Sequence, residues 1–177
     1  MHKFITVLLF LFTSIAAMPQ SSKSSTDKDM RWMSLEEVEK ATNESARPVL
    51  IDLYTDWCGW CKVMDKRTYK NEKVVSYLKD KFYSAKINAE SKAPFVWGGR
   101  SFAFNPQYKT NDFALFLTNG QLSYPTTVII PAPGEAPQAI PGFLAPNDFE
   151  LIVKYFGEGA YKKIPFPDYQ KSFKGSW

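Results

Sequence analysis

Two cysteines, Cys58 and Cys61, have two residues between them and lie where an apolar segment gives way to a helical pattern. They are the only cysteines of the chain. On the first turn of a helix this spacing lets the two sulfurs face each other, one near the exposed tip and one behind it. A bridge that closes so short a loop adds little to folding stability. The pair therefore indicates redox chemistry, or capture of a metal ion by two thiolates, rather than a structural crosslink.

The first 17 residues carry the three parts of a secretory signal. A short basic start is followed by an apolar run from Phe4 to Phe12 and by small residues that include Ala16 and Ala17. The run is shorter than the ~20 residues that span a bilayer. We predict a signal peptide over 1–17, export to the periplasm or the medium, no stable membrane insertion after cleavage, and a disordered polar leader over 18–30.

Composition limits the remaining possibilities. The 177 residues, 45% of them hydrophobic, suit one domain with an ordinary core. The formal net charge of +4 is small and the basic residues alternate with acids, so we expect no nucleic-acid partner. His2 is the only histidine and would leave with the signal peptide. Catalysis by a histidine base and histidine metal sites are therefore excluded for the mature chain.

Hydrophobic periodicity and caps predict alternating helices and strands. Ser34 and Glu37 form a capping box that opens a helix over 34–45, and Pro48–Tyr54 has the continuous apolar pattern of a central strand. A second helix begins at Cys58, and Asn71 has the position of an N-cap for a third. The later predicted elements are a strand over 82–88, a hairpin around Gly98-Gly99, a helix over 111–117, a hairpin of strands over 128–130 and 138–140, and a helix over 148–156. This order favours an α/β fold with a parallel crossover.

Two features of this pattern need an explanation. Asp52 interrupts the central apolar strand, where a carboxylate is costly to bury unless the strand end faces water. Residues 89–123 form an insertion that we interpret as packed near the cysteine pair. The aromatic side chains of the insertion suit either that position or plain core packing.

Several of these residues together resemble the thioredoxin family. The matching stretches are Val49–Lys62, which contains Trp-Cys-Gly-Trp-Cys-Lys, Ala85–Asn88, and Tyr124–Thr126. The likeness covers about 34–157 apart from the insertion 89–123, and it is greatest to exported thioredoxin-like proteins and to the C-terminal domain of thiol:disulfide interchange reductases. It implies a thioredoxin fold, with a central mixed β-sheet flanked by helices and an insertion before the strand that follows a cis proline.

The resemblance also implies catalytic roles. Cys58 is expected to be the attacking thiolate and Cys61 the resolving thiol. Asp52 matches the buried acid that takes and returns the proton of the resolving cysteine, and Lys86 matches the lysine beside that acid. Pro125 is expected to follow a cis peptide bond and to lie against the sulfur pair.

Residues beside the cysteines are expected to contact the substrate. Trp57, Gly59 and Trp60 would form an exposed apolar rim, with Trp60 standing where the family often has proline. Tyr124 and Thr126 would offer backbone to an extended substrate segment, as in strand addition.

We therefore predict an exported thiol-disulfide oxidoreductase of the protein-disulfide reductase type. Its substrates would be protein thiols and disulfides, a reducing partner protein would reset it, and it would need no cofactor. The predicted domain covers 31–160, with a tail over 161–177 packed on its surface. The alternatives are a thioredoxin-fold binding module without catalysis, and a protein that binds copper or another metal through the two thiolates.

Overall fold

The computed structural model describes residues 29–177. The predicted signal peptide and almost all of the predicted leader lie outside these residues, and the domain bounds stay predictions. The six α-helices, eight strands and one 3-10 helix of the described part follow in chain order: α1 (Leu35–Glu44), β1 (Val49–Tyr54), α2 (Gly59–Arg67), α3 (Glu72–Lys81), β2 (Tyr83–Asn88), β3 (Phe95–Trp97), β4 (Arg100–Phe102), β5 (Phe104–Asn105), β6 (Thr110–Asn111), α4 (Asp112–Thr118), β7 (Thr126–Ile130), β8 (Gln138–Pro141), α5 (Pro146–Gly157), the 3-10 helix (Ala160–Lys162) and α6 (Phe166–Ser172).

The central sheet has four strands in the order β2-β1-β7-β8. β1 and β2 are parallel, whereas β7 runs antiparallel to both β1 and β8. The crossover from β1 to β2 contains α2 and α3, as expected for a parallel pair. This confirms the predicted mixed sheet flanked by helices.

Local capping explains where the first and third helices begin. Ser34 accepts a hydrogen bond from the backbone N–H of Glu37, and the Glu37 carboxylate accepts one from the backbone N–H of Ser34. Asn71 accepts hydrogen bonds from the N–H groups of Lys73 and Val74. Both predicted helix starts are confirmed.

Two hydrophobic clusters cover the two faces of the sheet. One contains Ile51 and Leu53 of β1 together with α1, α4 and aromatic side chains of the 89–123 segment. The other contains Leu50 of β1 with side chains of α2, α3 and α5. Because successive residues of β1 point to opposite faces, its continuous apolar run is needed on both sides.

Along the chain, the 89–123 segment lies between β2 and the cis proline that precedes β7. β3 and β4 form the predicted antiparallel hairpin around Gly98-Gly99, both of which have positive φ. The ring of Phe113 in α4 is fully buried and lies near those of four other aromatic residues: Phe95, Trp97, Phe102 and Phe116. The aromatic residues of this segment thus serve mainly as core.

The last residues fold back onto α5. The 3-10 helix and α6 were not predicted, because neither has a side chain that caps its N-terminus. The fully buried carboxylate of Glu150 accepts hydrogen bonds from the backbone N–H groups of Ser176 and Trp177 and pairs with Lys154 at 2.7 Å.

Within residues 29–177, no helix has the length and apolar character that a bilayer crossing requires.

Candidate active site

The cysteine pair lies at the N-terminus of α2. Cys58 is the N-cap residue, and its Sγ is joined to that of Cys61 in a disulfide. The backbone N–H of Cys61 donates a hydrogen bond to Cys58 Sγ at 3.0 Å. The free N–H groups and the partial positive charge of a helix N-terminus favour a thiolate at this position once the pair is reduced.

Cys58 is less accessible than its predicted place at the exposed helix tip suggests. Only 4% of its surface is exposed, against 3% for Cys61, so the expected difference between the two is absent in the disulfide. Each bonded sulfur covers the other, and the chain folds back where the N–H of Cys58 donates to the carbonyl of Thr55. The prediction of an exposed Cys58 is therefore wrong for this oxidised form.

Asp52 and Lys86 form an ion pair across two strands of the central sheet. They are directly paired residues of the parallel strands β1 and β2. Asp52 is only 2% exposed, and its Oδ2 accepts a hydrogen bond from Lys86 Nζ at 2.8 Å. The same ammonium group also contacts Asp65 of α2, whose side chain is partly exposed. Lys86 is thus not the solvent-facing strand residue that its residue type alone suggests.

The surroundings shift the pKa values of both partners upward. Burial raises the pKa of Asp52, and the charge and hydrogen bond of Lys86 counteract that rise only in part. For Lys86, burial acts to lower the pKa, but the two carboxylates outweigh it and the pKa is raised. An acid whose pKa is raised toward the working range is suited to accept and return a proton near neutral pH.

Asp52→Asn is expected to stabilise the fold at pH 8. Because the folded-state pKa of Asp52 lies above its unfolded value, the wild type loses stability as the pH rises through the window between the two. The variant should gain about 1–3 kcal/mol at pH 8, and the gain should shrink as the pH falls and the wild-type acid takes up its proton. Urea denaturation at both pH values measures this.

Asp56→Asn is the matched control, since Asp56 is an exposed carboxylate of the loop that follows β1 and accepts a hydrogen bond from Asn88. An equal gain in both variants, or a gain that does not depend on pH, would show that burial of the Asp52 charge carries no cost.

The loop that contains Pro125 lies beside the loop that leads from β1 to Cys58. The Tyr124–Pro125 peptide bond is cis, and Thr126 pairs with Leu53, so Pro125 adjoins the end of β1 from which the chain continues to Cys58. The carbonyl of Pro125 is occupied, because it accepts a hydrogen bond from the N–H of Gly142 at 2.8 Å. Across residues 29–177, the backbone of Tyr124 forms no hydrogen bond, so it is available to an extended ligand.

Thr126 was predicted to offer its backbone to a substrate, but it belongs to an inner strand of the sheet. It is buried, its hydroxyl donates to the carbonyl of Ser123 at 2.7 Å, and its strand lies between β1 and β8. Its side chain therefore closes the turn before β7 and is not available to a substrate. Gly59, the first residue of α2, is exposed, and an added Cβ would meet nothing within 4 Å.

Aromatic side chains border the disulfide on two sides. Trp57 and Trp60 are 67% and 62% exposed, the largest exposed aromatic side chains of the described chain. Trp57 packs edge-on against Tyr124, with the ring centroids 6.0 Å apart, and its indole N–H donates to Glu90 at 2.9 Å. The ring of Trp60 lies 5.5 Å from that of Phe143. The predicted apolar rim is present and includes Tyr124.

Three residues at this site were not singled out in the sequence. Asp65 lies four residues after Cys61, on the same face of α2, which is a signal that helical spacing could have provided. Glu90 and Phe143 reach the tryptophans only through the folding of distant loops.

Among residues 29–177, no group of three or more His, Cys, Asp or Glu side chains is placed to hold a metal ion.

A family model described as a thioredoxin-like domain matches residues 35–157, which is more than half of the chain. The thiol:disulfide interchange protein DsbD of Ralstonia nicotianae is 37% identical over 46 residues, which are 26% of this chain and 8% of that protein. DsbD of Vibrio vulnificus is 31% identical over 72 residues, which are 41% of this chain and 12% of that protein. The chain thus matches only a small part of these relatives.

Two solved structures share the fold. The first is described as DsbH oxidoreductase, with a TM-score of 0.54 and 14% identity over 81% of this chain and 94% of the other. The second is a thioredoxin-fold protein from Helicobacter pylori, with a TM-score of 0.52 and 16% identity over 83% of this chain and 84% of the other. At these identities the likeness establishes the architecture alone.

Proposed function

Because this chain belongs to the thioredoxin-like family, we propose that it is a thiol-disulfide oxidoreductase that acts on protein substrates. The observation that carries the proposal is the Cys58–Cys61 disulfide at a helix N-terminus, with the N–H of Cys61 directed at Cys58 Sγ. Formation of this bond from two thiols releases two electrons, and its reduction takes up two. The buried acid behind the pair supplies the proton transfer that the exchange requires.

In the reducing direction the reaction has two steps. The Cys58 thiolate attacks a substrate disulfide, a mixed disulfide forms, and one substrate sulfur leaves as a thiolate. Cys61 then gives its proton to Asp52 and attacks Cys58 Sγ, which releases the second substrate sulfur and forms the internal disulfide. The released thiolate is protonated as Asp52 returns the proton, directly or through solvent. Two electrons have passed to the substrate, and a reducing partner protein restores the dithiol.

The surrounding residues have separate roles in this proposal. Lys86 limits the rise in the pKa of Asp52 and keeps the acid ionisable. Pro125 forms one wall beside the sulfurs, and the free backbone of Tyr124 pairs with an extended substrate segment. Trp57 and Trp60 provide apolar contact area, which suits a flexible or unfolded polypeptide.

We propose the reductase or isomerase direction and a location in the periplasm or the medium. The direction rests on the sequence Cys58-Gly-Trp-Cys61, which resembles that of reducing members of the family. The short matches to proteins named for thiol:disulfide interchange support the exchange chemistry in either direction. The location is supported by the signal-like pattern of the first 17 residues.

One observation favours a second candidate, a binding module without catalysis. Cys58 is 4% exposed, whereas Trp57 and Trp60 beside it are widely exposed, so the surface could hold a partner without sulfur exchange. The metal-binding alternative has no corresponding geometric support in residues 29–177.

Trapping with Cys61→Ser separates these candidates. Without the resolving thiol, the exchanging protein should accumulate disulfide-linked adducts with its substrates, which non-reducing electrophoresis detects and reductant removes. The double variant Cys58→Ser/Cys61→Ser is the control and should form none. Absence of adducts in the single variant, with the fold intact by circular dichroism, would contradict the proposal and favour binding alone.

The reduction potential of the pair tests the direction separately. Equilibration with glutathione should place it near ~−270 mV for a reductase, whereas a value near ~−120 mV would show a primary oxidant.

A further inference from the structure

One carboxylate oxygen of Asp52 does not contact Lys86 and belongs to a group of buried polar atoms that have no hydrogen-bond partner. Five buried side-chain atoms of residues 29–177 have no hydrogen-bond partner. Three of them are Oδ1 of Asp52 and the hydroxyl oxygens of Tyr69 and Thr127. Asp52 and Thr127 are directly opposite each other in β1 and β7. Asp52 and Tyr69 each influence the pKa of the other, as expected for a phenol close to the acid.

The ring of Tyr69 is held in place by its neighbours. Tyr69 follows α2, is 3% exposed, and packs edge-on between Trp32 and Phe149, with ring centroids 4.9 and 5.7 Å away. Lys86 Nζ, which contacts Asp52, lies 5.8 Å from the centroid of the Tyr69 ring. This packing holds the ring close to the Asp52–Lys86 ion pair and leaves it little freedom to turn.

Other charged groups also act on the carboxyl group of Asp52. They are Lys86 from β2, which favours the ionised acid, and Asp65 from α2, which opposes it. Tyr69 and Thr127 differ from both because they contribute only hydroxyl groups. Burial raises the pKa of Tyr69 well above its ordinary value, so the phenol stays protonated and remains a donor over the whole working range.

We propose that Tyr69 is a positioning residue whose hydroxyl, together with that of Thr127, hydrogen-bonds Oδ1 of Asp52 and keeps this buried acid available in its ionised form. This inference rests on the proposed exchange function, in which Asp52 takes the proton of Cys61. A buried carboxylate with only one of its oxygens paired is costly, and the two hydroxyl groups provide the partners that the second oxygen lacks. Lys86 therefore supports one oxygen of the acid, and Tyr69 and Thr127 support the other.

Tyr69→Phe tests this by removing one hydroxyl from a ring of the same shape. A lost donor to the ionised form should raise the pKa of Asp52 by about one unit, measured in the oxidised protein by carbon-13 NMR of the carboxyl group. The acidic limb of the pH profile for resolution of the mixed disulfide should shift upward equally. Below that limb the rate should fall up to about tenfold, and at high pH it should be unchanged.

Tyr155→Phe is the matched control, because Tyr155 is also buried and its hydroxyl donates to the carbonyl of Ile164, away from Asp52. It should leave the Asp52 titration unchanged. Thr127→Val should shift the titration in the same direction as Tyr69→Phe, and it decides the matter if the latter does not fold.

An unchanged Asp52 titration in both test variants would overturn the inference. The titration needs no substrate, so it separates this inference from the proposed function. A shifted titration in a protein that forms no mixed disulfide would disprove the exchange function and leave the role of Tyr69 toward the acid intact.

Discussion

Cys58→Ser is expected to reduce disulfide exchange to the background rate. A serine hydroxyl neither forms a disulfide nor ionises near neutral pH, so no covalent intermediate with the substrate can form. The measurement is the reduction of a disulfide-bonded protein substrate at pH 7 with a chemical reductant as the electron source. The residual rate should equal that of the reductant alone.

The stability of the same variant is the internal control. The Cys58–Cys61 bridge closes a loop with a sequence separation of three, so its loss should cost no more than about 2 kcal/mol in the free energy of unfolding. The variant should therefore remain folded while it is inactive. If a folded Cys58→Ser protein retained substantial activity, the attacking role of Cys58 would be refuted, and its low exposure in the oxidised form would count against catalysis.

Phe113→Ala is expected to lower the free energy of unfolding by about 3–5 kcal/mol. The Phe113 side chain is fully buried, and its ring lies near those of four aromatic residues in the 89–123 segment. Truncation removes a large apolar surface from the core and leaves a cavity that the rigid strands β3 and β4 can fill only in part. Urea denaturation followed by tryptophan fluorescence measures the loss.

Phe116→Ala provides the comparison, since Phe116 belongs to the same helix and is 37% exposed. It should cost less than about 1.5 kcal/mol, because much of its ring is already in water. Equal losses in the two variants would show that the position in the core does not decide the effect. It would also contradict the conclusion that the aromatic residues of the 89–123 segment serve mainly as core.

Local signals in the sequence predicted most of the central elements. The capping box at Ser34, the N-cap at Asn71 and the apolar pattern of β1, which Asp52 alone interrupts, each depend on residues that are close together in the chain. The helix α6 is the counterexample, because proline precedes it and no side chain caps it. Its position depends on tertiary contacts of the tail, including the hydrogen bonds of the buried Glu150 to Ser176.

The catalytic pair was predictable because its chemistry depends on spacing along one helix. Asp52 and Lys86 could be proposed from the family resemblance, but their ion pair arises from the register of two parallel strands. Glu90 and Phe143 could not be assigned, because their contacts with the tryptophans join residues far apart in the chain. The low exposure of Cys58 also required the packed structure.

The sequence by itself determined the helix-terminal cysteine pair and the strands of the central sheet, because these depend on periodicity, capping and residue type over short distances. The family resemblance added Asp52 as a buried acid. Only the tertiary structure decided which groups surround that acid and which side chains border the sulfurs. Those contacts depend on strand register and loop closure, and no local pattern encodes the distance between atoms that lie many residues apart.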